Sequence, residues 1–124
     1  MYVFLAKAYK ERGIVQQWHL AVTRNSNSVM LEQLGRDAGF DCVGDAFEVK
    51  YVKNIIDKSN SIGGLPKTII YTLNPTMYYP LATLCGAFRD VVIGVSWWFC
   101  DHKRGMYETL QTLSELSHVS SLVG

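Results

Sequence analysis

Apolar positions in this chain switch repeatedly between helical and strand spacing. Val3, Leu5, Ala6 and Tyr9 lie near helical spacing. Lys10 and Arg12 suit the negative end of a helix and Gly13 its C′ position, so residues 2–12 read as a helix. Residues 15–22, "VQQWHLAV", read as a strand, and a long loop follows with "GRDAGFDCVGD" inside it. Asp45 with Glu48 three residues later has the form of a capping box. It predicts a helix to about Lys58 that buries Phe47, Tyr51, Val52, Ile55 and Ile56. "SNSIGGLP" breaks that helix, and "KTIIYTLNP" is a second strand closed by Asn74-Pro75. A helix over Leu81 to Phe88 follows, with Pro80 suited to its first turn. "DVVIGVSWWF" is the third strand and "CDHKRG" a loop. Met106, Leu110, Leu113 and Leu116 mark the last helix. Strands alternating with helices imply right-handed βαβ units and a parallel sheet.

Alternate residues of a strand face opposite sides. One set is Trp18, Leu20, Val22, Ile69, Tyr71, Leu73, Val91, Ile93, Val95 and Trp97, large and mostly apolar, which suits a face covered by helices. The other is Gln17, His19, Ala21, Thr68, Ile70, Thr72, Asn74, Val92, Gly94, Ser96 and Trp98, smaller and more polar. An open sheet covered on both faces would want both sets apolar. The second set fits the inside of a barrel, and polar residues gather just past the strand ends: Arg24 and Asn25, Asn74, Asp101 and His102. That is the end at which (β/α)₈ barrels carry their chemistry. His19, inside an apolar strand, is thereby expected to point toward the barrel axis.

Three strands cannot close a barrel, which takes eight strands and about 250 residues. With Ile70, Val92 and Trp98 left wet, each would forgo about 1.5–3 kcal/mol of burial. The expectation is a single α/β segment, residues 1–124, of a partial TIM barrel with about three βα units. "SLVG" stands where the last helix should hand over to another strand.

Composition narrows the function classes. The 124 residues are 48% hydrophobic and 19% charged, ordinary for one globular unit. Lys and Arg total 12 against 11 Asp and Glu, a formal net charge of +1 with no basic stripe, so neither nucleic acid nor an anionic membrane is an expected partner. No apolar run approaches the roughly 20 residues of a membrane span, and the N-terminus does not read as a secretion leader. Cys42, Cys85 and Cys100 show no C-x-x-C spacing. They predict reduced thiols used in packing, and a cytoplasmic location. His102 and His118 read as exposed. No Gly-rich phosphate loop or serine nucleophile elbow is present.

Three separated stretches, "QWHLAVTRNSNSVMLEQLGRDAGFDCVGD", "LPKTIIYTLNP" and "VSWWFCDHKRGMYETLQTLSELS", resemble the later part of the uronate (glucuronate) isomerases. The likeness runs from about Ala8 to Gly124. It implies a distorted, amidohydrolase-like (β/α)₈ barrel in which this chain holds strands five to seven. It also implies interconversion of D-glucuronate with D-fructuronate and of D-galacturonate with D-tagaturonate, and a divalent metal, commonly zinc, in the complete enzyme. The family's His-x-His metal pair and Asp-Ser-Arg stretch are not in this sequence, so the resemblance implies a segment that binds no metal and is inactive by itself.

Aldose–ketose isomerisation needs a general base, stabilisation of a developing enediolate and a hold on the sugar's carboxylate. His19 resembles the strand-five histidine of the amidohydrolases, a metal ligand or a neighbour of one. Arg24 is the candidate for the carboxylate, which a guanidinium grips two-pronged. Asn25 and Asn74 are candidates to orient hydroxyls, Trp98 to stack on the sugar, and Asp101 resembles a polar position of the family. Two other readings stand beside this one: a non-catalytic module that self-associates through exposed sheet edges as a homo-oligomer, and part of another metal-dependent hydrolase on the same barrel.

Overall fold

A computed structural model describes residues 1–95, 97–117 and, as backbone, 122–123. Helix α1 (Tyr2–Glu11) leads into strand β1 (Gln16–Leu20). Then come β2 (Val22–Thr23), α2 (Ser28–Leu34), β3 (Cys42–Val43) and α3 (Lys50–Ser61). The remainder is β4 (Thr68–Thr72), α4 (Tyr78–Ala87), β5 (Val91–Gly94), α5 (Lys103–Leu116) and β6 (Leu122–Val123). Strands β1, β4, β5 and β6 form one sheet in that order, every pairing parallel, while β2 and β3 make a separate antiparallel pair. The expected parallel α/β segment is therefore present. A fourth strand, β6, extends it at the place where "SLVG" lacked a strand assignment.

Register fixes which side chains share a face. Gln16, Trp18 and Leu20 pair with Thr68, Ile70 and Thr72, and Thr68 and Ile70 pair with Val91 and Ile93. This face carries the core. Ile70, Val91 and Ile93 pack with Val52 and Ile56 of α3, Leu81, Ala82, Leu84 and Cys85 of α4, and Leu113 of α5. Each fully buried aliphatic side chain here contributes about 1.5–3 kcal/mol relative to exposure. At the strand starts the polar groups on this face satisfy one another: buried Gln16 donates to Thr68 Oγ1 at 2.8 Å, which donates to Pro66 O at 2.9 Å. α1 lies close against the loop that follows α3, where Gly64 has no side chain; a Cβ there would lie 3.0 Å from Lys7 Cβ.

The opposite face carries Gln17, His19, Ile69, Tyr71, Val92 and Gly94. The alternation assigned to β1 and to Val91–Gly94 is correct, but that assigned to β4 is inverted. Ile70 and Thr72 lie under the helices and Ile69 and Tyr71 do not. Ile70 (0% exposed) and Val92 (1%) are both out of water. Of the three side chains expected to stay wet, only Trp98, 39% exposed, does. Alternation also stops sooner than expected. Ala21 turns to φ +62 after β1, and β5 ends at Gly94. Ser96 and His118, which the sequence placed on the inner face and at the surface, lie outside the described residues.

Helix boundaries shift as well. α3 begins at Lys50 with Val49 as N-cap and no side-chain cap bond, so the Asp45–Glu48 box does not form. Val52 and Ile56 of its expected stripe are buried, whereas Phe47 and Tyr51 are 36% and 57% exposed. On α5 the buried line is Gly105, Thr109, Thr112 and Leu113, with Met106 and Leu110 outside it. α4 holds Pro80 in its first turn, as expected, but starts earlier, at Tyr78. Cys85 and Cys100 are buried and Cys42 is exposed, all three as free thiols. Among the described residues no helix is long and apolar enough to cross a membrane.

Candidate active site at the strand ends

Past the C-terminal ends of β1 and β5, aromatic side chains form a continuous row. The His19 ring stacks on Tyr71 with centroids 5.0 Å apart and planes 8° from parallel. Trp97 meets His19 edge-on at 4.4 Å and 66°. Trp97 in turn meets Trp98 at 5.6 Å, and Trp98 stacks on Phe99 at 4.7 Å and 15°. Gly94 makes room for this: a Cβ there would fall 1.9 Å from Tyr71 Cε1. The row reaches Arg24, whose guanidinium carbon stands 5.3 Å above the Trp98 ring. Cation–π attraction of this kind contributes about 0.5–1 kcal/mol at exposed sites.

Arg24 is held from its other side by the loop between β2 and β3. Its Nη1 donates to Asp41 Oδ2 at 2.8 Å, and Asp37 Oδ1 lies 3.6 Å from the same nitrogen. Asp41 Oδ1 accepts the Asn25 backbone N–H at 2.7 Å. The sequence places Asp37 and Asp41 in what reads as plain loop; α2 and the β2–β3 pair organise it. Asn27 caps α2 by accepting from Met30 N at 3.1 Å.

The other candidates surround this row. Asn25 is half-buried and its backbone is pinned as described. Asn74 ties two loops together. Its Nδ2 donates to Gly44 O at 2.9 Å, and its Oδ1 accepts Thr76 N at 3.0 Å and Thr76 Oγ1 at 2.6 Å. Asp101 is exposed, just after the 3₁₀ turn Trp98–Cys100. His102 is exposed and caps α5, its Nδ1 accepting Gly105 N at 3.1 Å. Sequence parity put Trp98 alone on the site side. The structure puts Trp97 against His19, because the chain leaves the strand at Gly94 and bends before both indoles.

Backbone conformation marks the same region. Among the described residues four non-glycines have positive φ: Ala21 (+62°), Asn25 (+51°), Asp37 (+59°) and Trp98 (+49°). For a bulky Trp this is an outlier. Such conformations cost about 1–3 kcal/mol each and cluster at ligand sites, where the surrounding contacts must hold them. Three of the four are Arg24's ring partner, its sequence neighbour and the carrier of a nearby carboxylate.

The family model for glucuronate isomerase matches residues 1–124. The chain belongs to the glucuronate isomerase family. It is 40% identical to the uronate isomerase of Brachyspira hyodysenteriae over 97% of its length, and 41% identical to that of Halalkalibacterium halodurans over 98%. In both comparisons it spans 27% of the relative. The solved glucuronate isomerase from Caulobacter crescentus superposes with a TM-score of 0.86 at 31% identity, over 98% of this chain and 26% of that one. The uronate isomerase from Thermotoga maritima gives 0.78 at 29%. The fold of this segment thus has counterparts in solved uronate isomerases. Among the described residues no three His, Cys, Asp or Glu side chains come together as a group that could hold a metal ion. His19, exposed and held between two rings, offers a single imidazole.

Proposed function

We propose that this segment supplies the substrate-holding side of a uronate isomerase barrel, as strands five to seven with β6 as the start of the eighth. The complete barrel would interconvert D-glucuronate with D-fructuronate and D-galacturonate with D-tagaturonate, moving a proton between adjacent sugar carbons. One observation carries the reading: His19 and Arg24, from one stretch of the chain, and Trp98, from a distant one, are joined by a single row of contacts at the strand ends.

Arg24 grips the sugar carboxylate with guanidinium N–H groups, a charge-assisted contact in which two parallel bonds fix direction as well as energy. Trp98, 39% exposed, offers its ring to the C–H face of the sugar. Asn25, Asn74 and Asp101 border the same mouth and order its loops around the hydroxyls. His19, with its ring fixed by Tyr71 and Trp97, would serve as one ligand of a divalent metal. Such a metal, zinc in the commonest case, supplies Lewis-acid polarisation of a sugar oxygen. The remainder of the barrel pairs with the free edge of β1. There a groove of about 350 Å³ lies open, lined by Tyr2, Trp18, Leu20, Tyr51, Val52 and Ile55.

The test is a complete barrel in which residues 1–124 replace the aligned stretch of the Halalkalibacterium halodurans relative. The chimera is expected to convert D-glucuronate. Arg24→Met should raise its KM at least about tenfold, since a charge-assisted hydrogen bond contributes about 1.5–3 kcal/mol and 1.4 kcal/mol is tenfold in affinity. An unchanged KM removes Arg24 from the substrate.

A further inference from the structure

We infer that Asp41 is the positioning residue for the carboxylate-binding guanidinium of Arg24, a role that rests on the functional reading above. A two-pronged grip on a carboxylate requires a guanidinium whose plane is already set. An arginine side chain left free carries rotamer entropy that binding would have to overcome. Arg24 is not left free. Asp41 Oδ2 takes its Nη1 at 2.8 Å, and the Trp98 ring lies under its guanidinium carbon at 5.3 Å. The second oxygen of the same carboxylate holds the Asn25 N–H at 2.7 Å. Asn25 is at φ +51, so this bond secures the turn that carries Arg24 out of β2.

Burial separates the two acids beside Arg24. Asp37 is 79% exposed and 3.6 Å away, a pair that water and salt screen. The Asp41 side chain is 5% exposed. Its charge has few waters to fall back on, so its bonds to Arg24 and Asn25 are costly to leave unmade. Asp41 binds one nitrogen of a fork that carries five donors. It therefore orients the group without using it up.

The experiment is a double-mutant cycle in the chimeric barrel. Asp41→Asn keeps the shape and an acceptor for the Asn25 N–H, but removes the charge that sets Arg24. It should raise KM for D-glucuronate about tenfold while kcat moves by less than about threefold. In an Arg24→Met background the same change should raise KM no further. A KM that holds or falls in the single variant, as when Asp41 merely competes with substrate for Arg24, overturns the inference. So does an equal rise in both backgrounds, which would mark a general structural effect. Should Asp41→Asn lower the yield of folded enzyme, Asp41→Glu keeps the charge but displaces it, and is expected to raise KM severalfold in the same Arg24-dependent way. An Arg24→Met variant with unchanged KM defeats the functional reading itself. A raised KM there, with Asp41→Asn silent, defeats only the positioning role.

Discussion

The two faces of the sheet are built from the same strands and solved by different means. Under the helices, Ile70, Val91 and Ile93 meet apolar side chains from α3, α4 and α5, and everything needed to bury them lies within the segment. On the other face His19, Tyr71, Trp97 and Gly94 contact one another across strand ends, with His19 still exposed. The helix-covered face is held by volume. The site face is held by ring geometry and by one missing Cβ. The covered core and the proposed site thereby lie on opposite sides of strands only five residues long.

The largest expected difference comes from neighbouring residues of β4. Ile70→Ala opens a cavity in the covered core and should cost about 2–5 kcal/mol. Tyr71→Ala on the other face removes a half-buried ring that leaves no enclosed cavity and should cost less, about 1–2 kcal/mol. Urea unfolding of the chimeric barrel compares the two. Equal losses would mean that the faces are not separated in the way described.

This pair also shows what was legible in the sequence. Parallel strands, intervening helices and polar strand ends were all readable from periodicity and turn signals. The facing of β4 was not. In "TIIYT" both alternating sets are large or β-branched, so a strand buried on both sides gives no contrast to read. Register with β1 decides it, through Trp18 against Ile70 and His19 against Tyr71. At the proposed site, Arg24, His19 and Trp98 stood out in the sequence because their chemistry is specific, and the structure brings them into one row of contacts. Asp41 did not, because it lies 17 residues from Arg24 in a loop with several acids and only the folded β2–β3 pair selects it. Tyr71 had one available signal in Gly94, a strand glycine that implies close approach by a neighbour. The capping box failed for a different reason. Asp45 and Glu48 have the right spacing, but the chain does not turn helical until Lys50.

A smaller effect tests the site face directly. Gly94→Ala puts a Cβ where Tyr71 Cε1 now sits, at 1.9 Å, and the ring must leave His19 to make room. Overpacking of this kind costs about 1–3 kcal/mol. The loss should fall below about 0.5 kcal/mol when Tyr71 is already Ala, since close neighbours are coupled and the clash has then gone. A penalty that survives Tyr71→Ala would place the role of Gly94 in the backbone instead.

The smallest difference, about 1 kcal/mol between pH 9 and 10, belongs to the covered side and is read against pH. Burial pushes the Cys85 thiol up to about 12, against 9.0 for an exposed thiol. Tyr78, on the same helix, is pushed up to about 12 from 10.0, by burial first and then by the neighbouring Cys100. Its hydroxyl is buried with no hydrogen-bond partner among the described residues. Both groups keep their protons in the fold at pH values where the unfolded chain loses them. The unfolded state then binds fewer protons, so stability falls as pH rises. The loss begins above about pH 9 through Cys85, is joined above about pH 10 by Tyr78, and ends near pH 12, at roughly 1 kcal/mol per pH unit for each group. Cys85→Ala should flatten the decline between pH 9 and 10 and roughly halve it above pH 10, in unfolding midpoints taken across that range. A variant that declines as early as the parent would mean that the thiol is not the group responsible.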